Sequence, residues 1–132
     1  QVKLVDDQGN SGVQFRSEAL PDGEMKGPQA DVGPDWWGKL YEENGRALLW
    51  PKSAEAAVRQ GDWNHYEIVA VGDSIRTWIN GEPAVVLDDE FISKSGIFGL
   101  QLHSGGPTEV RFKDLKLELN PPLEPSKPKA AE

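Results

Sequence analysis

Three short segments of the sequence alternate polar and apolar side chains, and their polar members carry versatile chemical groups. These are three amides, a guanidinium, a carboxylate and an imidazole: Gln14, Arg16, Gln29, Asp31, Gln101 and His103. Because side chains of a strand point alternately to its two faces, neighbouring strands of this kind share one polar face. Amides and carboxylates form paired hydrogen bonds with vicinal hydroxyls, so such a face suits a hydroxyl-rich ligand. An ordinary hydrated sheet face is the alternative interpretation.

The two histidines of the chain have different surroundings in the sequence. His103 ends its segment directly before Ser104-Gly105-Gly106-Pro107. An imidazole at a flexible turn can act as a base, an acid or a ligand, although a purely structural histidine would fit the same position. His65 lies on the parity opposite Tyr66 and Ile68, and we expect it at the surface.

A tandem aromatic pair, Trp36 and Trp37, follows Gly33-Pro34-Asp35 on a predicted loop. An exposed indole ring stacks on the apolar face of a sugar, whereas a buried one closes the edge of a sandwich. We expect one ring of each kind. Residues 6–10 (DDQGN) also offer oxygen ligands, but Ser11 stands where a calcium loop of this pattern needs Gly, so the sequence assigns no metal site.

The segments that position these groups predict an all-β fold. Gly and Pro recur about every eight to twelve residues, with short β-branched and aromatic runs between them, which is typical of an antiparallel sandwich or barrel. Turns at Gly72-Asp73 and Asn80-Gly81 predict a three-stranded meander. The predicted strands cover residues 3–5, 13–17, 28–32, 38–41, 47–50, 63–71, 74–79, 83–87, 96–103 and 109–119. The last strand needs a bulge at Lys113-Asp114 to keep its leucines on one face, and residues 53–59 predict a short helical turn.

Length, charge and composition restrict the class of protein. The chain has 132 residues and a net charge of −8, which predicts one acidic domain over residues 1–119 and a Pro-rich disordered tail or linker over 120–132. No basic stripe is present, so nucleic acid is not an expected partner. No apolar run is long enough to span a membrane. The chain lacks Cys and has no GxGxxG, GxSxG or HExxH motif, which argues against nucleotide binding and common hydrolase chemistry.

Several blocks of sequence together resemble one family. They are GNSGVQFRS, PQADVG, WWGKLYEENGR, DWNHYEIVAVGDSIRTWINGEPAVV, GIFGLQLHSGG and VRFKDLKL. In this order and spacing they are similar to the 3-keto-disaccharide hydrolase domain, and the similarity runs from Gln1 to about Leu119. The resemblance implies a concanavalin-like jelly-roll β-sandwich and a periplasmic or extracellular location.

The resemblance also implies an activity, the cleavage of a glycoside whose glucose ring is oxidised at C3. The ketone acidifies the hydrogen on C2, a base removes it, and the resulting enolate expels the group on C1. In this reading His103 or Asp31 is the base or acid and Arg16 stabilises the enolate. The predicted sugar contacts are Gln14, Gln29, Gln101, Asn10, Trp36 and Trp37. A divalent cation could assist or replace Arg16, as in some similar enzymes.

The chain departs from the family pattern in two respects. Relatives carry further strands before the Asn-Ser-Gly block, so the sandwich is expected to lack N-terminal strands, and a second polypeptide or domain could complete it. An opening at Gln1 without Met indicates a processed or trimmed product. Many relatives have Glu and Gln where this chain has Gln29 and Asp31, which moves the acid by one alternation. The competing functions are a non-catalytic carbohydrate-binding module and an interaction domain of a larger exported protein.

Overall fold

Antiparallel strands form almost all of the regular structure in the computed structural model, which describes residues 1–125. The strands are β1 (Val2–Leu4), β2 (Ser11–Ala19), β3 (Met25–Val32), β4 (Leu40–Glu43), β5 (Ala47–Trp50), β6 (Trp63–Asn64), β7 (Tyr66–Val71), β8 (Ser74–Ile79), β9 (Glu82–Asp88), β10 (Ile97–Leu102) and β11 (Val110–Phe112). Two short 3₁₀ turns cover Val5–Asp7 and Glu55–Ala57. No helix among residues 1–125 is long and apolar enough to cross a membrane.

The strands form three sheets. The first has the order β10-β2-β3-β4-β5, the second β7-β8-β9 and the third β11-β1-β6, and all of their pairs are antiparallel. The predicted meander is the second sheet, with its turns at the expected residues. The all-β sandwich prediction is therefore confirmed.

Two apolar clusters hold the sheets together. One combines buried side chains of the first and second sheets with Ile92: Phe15, Ala30, Leu40, Ile75, Val85 and Ile92. The other combines the third sheet with β3, β8 and the loop after β3: Val2, Leu4, Val32, Trp37 and Ile79. Burial of these side chains fixes which face of the first sheet turns inward, and its polar side chains must then lie on the opposite face.

Three predicted elements differ in the structure. Residues 53–59 contain only the 3₁₀ turn Glu55–Ala57, because so short a segment cannot offset the cost of helix nucleation. The strand predicted over 63–71 is interrupted at His65, and its two parts pair with different strands, β1 and β8. The strand predicted over 109–119 ends at Phe112, although Asp114 does have an irregular backbone, with a φ of 54°. Part of the predicted tail, residues 126–132, lies outside the described residues.

The Trp pair offers a direct test of the core assignment. Trp37 is 1% exposed in the second cluster, whereas Trp36 is 37% exposed. Trp37→Ala should lower the free energy of unfolding by about 3–5 kcal/mol, because it leaves a large cavity. Trp36→Ala, the matched control, should change it by less than about 1 kcal/mol. Urea denaturation measures both values, and equal losses would contradict this packing.

Candidate functional site

A cleft of about 500 Å³ lies on the polar face of the first sheet. Its volume falls in the range of pockets that bind small molecules. Strands β3, β4 and β10 and the loops around residues 9–10, 34–36 and 103 supply its walls: Gly9, Asn10, Gln29, Asp31, Pro34, Trp36, Tyr41, Glu43, Gln101 and His103. Six of the nine site residues predicted from the sequence therefore meet in one place: Asn10, Gln29, Asp31, Trp36, Gln101 and His103.

A glycine shapes the floor of this cleft. Gly12 of β2 pairs with Asp31 on one side and with Gln101 on the other. This row of three cross-strand partners therefore has no side chain at its central residue. The Gln29 amide fills that space, since a Cβ on Gly12 would lie 2.6 Å from its Cδ atom. From there Gln29 Nε2 donates to Asp31 Oδ1 at 2.8 Å and to Gln101 Oε1 at 3.1 Å. The bare backbone of Gly12 thus allows one amide of β3 to reach β10 across β2.

Gln14 supports the floor from below and does not line the cleft. Its side chain is buried, and its amide group lies 3.1 Å from Gln29 Oε1. The Ser17 hydroxyl donates to Phe15 O at 2.8 Å and lies 2.8 Å from the same amide group. Gln14 therefore restrains Gln29, and the structure does not place it within reach of a ligand in the cleft.

Asp31 is a buried carboxyl with an unsatisfied oxygen. Its side chain is 3% exposed, and Oδ2 has no hydrogen-bond partner within the described part of the chain. Burial and, to a smaller extent, the charge of Glu43 raise the pKa of Asp31 to about 7, against the opposing effect of the Gln29 hydrogen bond. An Asp with this pKa exchanges protons at neutral pH and is a stronger base than an ordinary carboxylate.

His103 lies at the exposed rim of the cleft. Its Nδ1 is 2.7 Å from the carbonyl oxygen of Ser104. A carbonyl oxygen only accepts hydrogen bonds, so Nδ1 carries a hydrogen and Nε2 is left to exchange protons with a ligand. The backbone N–H of His103 donates to Asn10 O at 3.2 Å, which holds these two rim residues together.

The two tryptophans take the two roles expected of the pair. Trp36 lines the cleft, with Tyr41 edge-on to its ring at 6.2 Å and Lys39 Nζ 4.9 Å from the ring centre. Trp37 points into the core and donates from Nε1 to Asp7 Oδ1 at 3.3 Å. The inclusion of Trp37 among the sugar contacts is therefore corrected, because no part of a buried ring can stack on a ligand.

Arg16 does not join the polar face, contrary to the alternation of residues 13–16. Its backbone φ is 45°. Around this residue the register shifts in both pairings of β2, with β10 and with β3. This bulge turns the guanidinium away, and Nη1 donates to Gly72 O at 2.7 Å and to Ser93 O at 3.1 Å. Arg16 thus fastens two loops and does not line the cleft.

Tyr41 and Glu43 are cleft residues that the sequence interpretation missed. They alternate with Leu40 and Glu42 on β4, where Tyr41 pairs with Gln29 and Glu43 with Gly27. The alternation that predicted the other cleft residues also holds in residues 40–43, where Tyr41 and Glu43 lie on the same face of a fourth strand. The described residues contain no group of three or more His, Asp or Glu side chains that could hold a metal ion.

The raised pKa of Asp31 predicts a pH-dependent stability. The folded chain keeps this proton up to about pH 7, whereas an ordinary Asp loses it near pH 4, so folding takes up a proton between these values. The free energy of unfolding should therefore fall by roughly 2–4 kcal/mol as the pH rises through this range. Asp31→Asn should remove this decrease, as measured by urea denaturation at pH 5 and pH 8. An unchanged pH profile in the variant would contradict the assignment.

The comparisons with known proteins bear on this cleft. Among curated proteins, no sequence matches the chain. The model of one family, the 3-keto-alpha-glucoside-1,2-lyase-like domain, matches residues 1–118 and so confirms the resemblance drawn from the sequence blocks. The matched region contains every residue of the cleft. The chain belongs to the 3-keto-alpha-glucoside-1,2-lyase-like domain family.

Proposed function

We propose that the cleft binds a glucoside oxidised at C3 and cleaves its bond between C1 and the glycosidic oxygen by elimination, with Asp31 as the base. The observation that carries this proposal is that Asp31 lines the cleft as a buried carboxyl and that its Oδ2 has no hydrogen-bond partner among residues 1–125. A base with a pKa near 7 suits removal of a hydrogen next to a ketone. Membership of the family supports the same substrate class.

The reaction follows from the acidity of C2. Asp31 Oδ2 takes the proton from C2, and the electron pair of that bond passes to the C3 carbonyl, which becomes an enolate. The enolate collapses to a double bond between C1 and C2, and the bond to the leaving oxygen breaks. His103, protonated on both ring nitrogens, donates its Nε2 proton to the leaving oxygen. Solvent then removes the proton from Asp31 and returns one to His103. Addition of water across the new double bond would complete a net hydrolysis.

The remaining cleft residues hold the sugar and the developing charge. Gln101 Oε1 already accepts from Gln29, so the NH₂ group of Gln101 is the part that can donate to the C3 oxygen. The half-exposed ring of Trp36 offers a stacking surface for the pyranose, and Tyr41 fixes its orientation edge-on. Asn10 at the rim can donate to a ring hydroxyl.

Exchange of the C2 hydrogen tests the assigned chemistry directly. A nitrophenyl glucoside oxidised at C3 and deuterated at C2 should lose its label to water in the presence of the protein, while the unoxidised glucoside should not react. Asp31→Asn should lower kcat by about 10²–10⁴-fold because the base is gone. Asp22→Asn changes an exposed turn residue and serves as the matched control. Binding of the sugar without label loss would favour the carbohydrate-binding module instead.

The same assignment predicts the direction of the pH profile. Because only the ionised carboxylate can accept a proton, the rising limb of the kcat/KM profile should have its midpoint near pH 7. The residual rate of Asp31→Asn should show no rise with that midpoint. A profile that rises only near the ordinary pKa of an exposed Asp would rule out the buried carboxyl as the base.

The cleft floor should depend on Gly12. Gly12→Ala places a methyl group against the Gln29 amide and should displace it from Asp31 and Gln101. We expect the dissociation constant for the unoxidised glucoside to rise about 10-fold, which corresponds to one lost hydrogen bond. Gly106→Ala is the control, since nothing lies within 4 Å of a Cβ at that residue. Titration calorimetry measures both, and equal affinities would contradict this role of Gly12.

A further inference from the structure

Glu43 is a charged residue of the cleft that has no role in the proposed reaction. It ends β4, and its half-buried side chain lines the cleft together with Asp31. Its partner on β3 is Gly27, which has no side chain that could bind the carboxylate. Within residues 1–125, no hydrogen bond or ion pair engages the side chain of Glu43. Both of its oxygens are therefore available to a ligand.

The preceding glutamate on the same strand has a purely structural role. Glu42 pairs with Arg46, with 2.7 Å between Oε2 and Nη2, and its Oε1 accepts from the Arg46 backbone nitrogen at 2.9 Å. Arg46 also pairs with Asp89 at 2.8 Å. Because consecutive side chains of a strand point to opposite faces, Glu42 fastens the turn after β4 and Glu43 faces the cleft.

The strand register places Glu43 and His103 at opposite ends of the cleft. Gln101 of β10 and Asp31 of β3 lie in one row across β2. Since β2 is antiparallel to both neighbours, β10 and β3 run in the same direction. His103 lies two residues beyond Gln101 in that direction, whereas Glu43 pairs with Gly27, four residues before Asp31. The row of Gln101 and Asp31 therefore lies between the two ends.

This order determines which part of the sugar faces Glu43. In the proposed reaction the leaving oxygen on C1 meets His103, and C2 meets Asp31. A pyranose ring places C4 across from C1, and C6 branches from the neighbouring C5. The hydroxyls on C4 and C6 therefore point to the end of the cleft that holds Glu43. A carboxylate accepts a hydrogen bond on each of its two oxygens, which suits two hydroxyls of one sugar.

The charge at this end of the cleft opposes an anionic ligand. None of the described residues that line the cleft is Lys or Arg, and Lys39 lies over the ring of Trp36, 4.9 Å from its centre. Burial is the main cause of the raised pKa of Asp31, and the charge of Glu43 adds more to it than Lys39 removes. The charge of Glu43 thus acts across the cleft floor, and a ligand anion there meets repulsion without a counterion from the walls.

We propose that Glu43 determines which sugars the cleft accepts: its carboxylate binds the C4 and C6 hydroxyls and excludes sugars that carry an anionic group at either carbon. The substrates are then glucosides whose non-reducing end is free and without negative charge, and uronides and 6-phosphorylated glucosides are excluded. The inference rests on the proposed function for the orientation of the ring. The contact itself involves no reacting atom, so binding alone measures it.

Three sugars that differ only at C6 test this role. Methyl α-glucoside carries a hydroxymethyl group, methyl α-glucuronide a carboxylate, and methyl 6-amino-6-deoxy-α-glucoside an ammonium group. Titration calorimetry at pH 6, where Asp31 keeps most of its proton, measures their binding without reaction. The dissociation constant should be at least about 10-fold higher for the glucuronide than for the glucoside, and about 5-fold lower for the amine. In Glu43→Gln the ratio between glucuronide and amine should fall at least about 10-fold.

Controls and outcomes separate this role from the proposed reaction. Glu82→Gln makes the same change at an exposed residue of β9 and should leave the ratio unchanged, and Glu43→Asp, which keeps the charge, should retain most of it. An unchanged ratio in Glu43→Gln would overturn the role of Glu43, even where the C2 label is lost. A reduced ratio without label loss would support the role of Glu43 and overturn the elimination alone. Failure of all three sugars to bind would overturn both.

Discussion

The hydrogen bonds of the Gln29 amide organise the candidate site. One NH₂ group donates to the Asp31 carboxyl on its own strand and to the Gln101 amide two strands away, across the bare backbone of Gly12. These two bonds use both hydrogens of the amide. The second oxygen of Asp31 therefore receives nothing from Gln29, and it is this oxygen that has no partner within residues 1–125. The orientation of one amide thus decides which oxygen of Asp31 is left without a donor.

A buried carboxyl with an unused oxygen opposes folding, and the two apolar clusters must offset that cost. The clusters lie on the opposite face of the same strands. There Ala30 and Val32, the neighbours of Asp31 along β3, are completely buried. The alternation of β3 thus combines an inward apolar face that stabilises the fold with an outward face on which Asp31 Oδ2 has no partner among residues 1–125. This arrangement is typical of active sites, where the groups that react are held in surroundings that do not fully satisfy them.

The sequence predicted those parts of the fold and site that depend on local alternation. Gln29, Asp31 and Gln101 were found because their strands keep a regular period of two residues. Arg16 was misplaced because a bulge reverses the direction of a side chain, and nothing in the letters VQFR signals a positive φ. Strand 109–119 was predicted too long because its leucines alternate correctly, but an alternating segment becomes a strand only where a neighbour pairs with it. Register and pairing depend on contacts between segments that are distant in the sequence, and the alternation within one segment does not reveal them.

Tyr66 connects the second sheet to the cleft. It begins β7, packs against both apolar clusters, and its hydroxyl donates to the backbone oxygen of Asp31 at 3.3 Å. Burial raises the pKa of Tyr66, and the charge of Asp31 adds to the effect, so the phenol stays protonated and remains a donor. The position of the Asp31 backbone therefore depends on how firmly β7 is held.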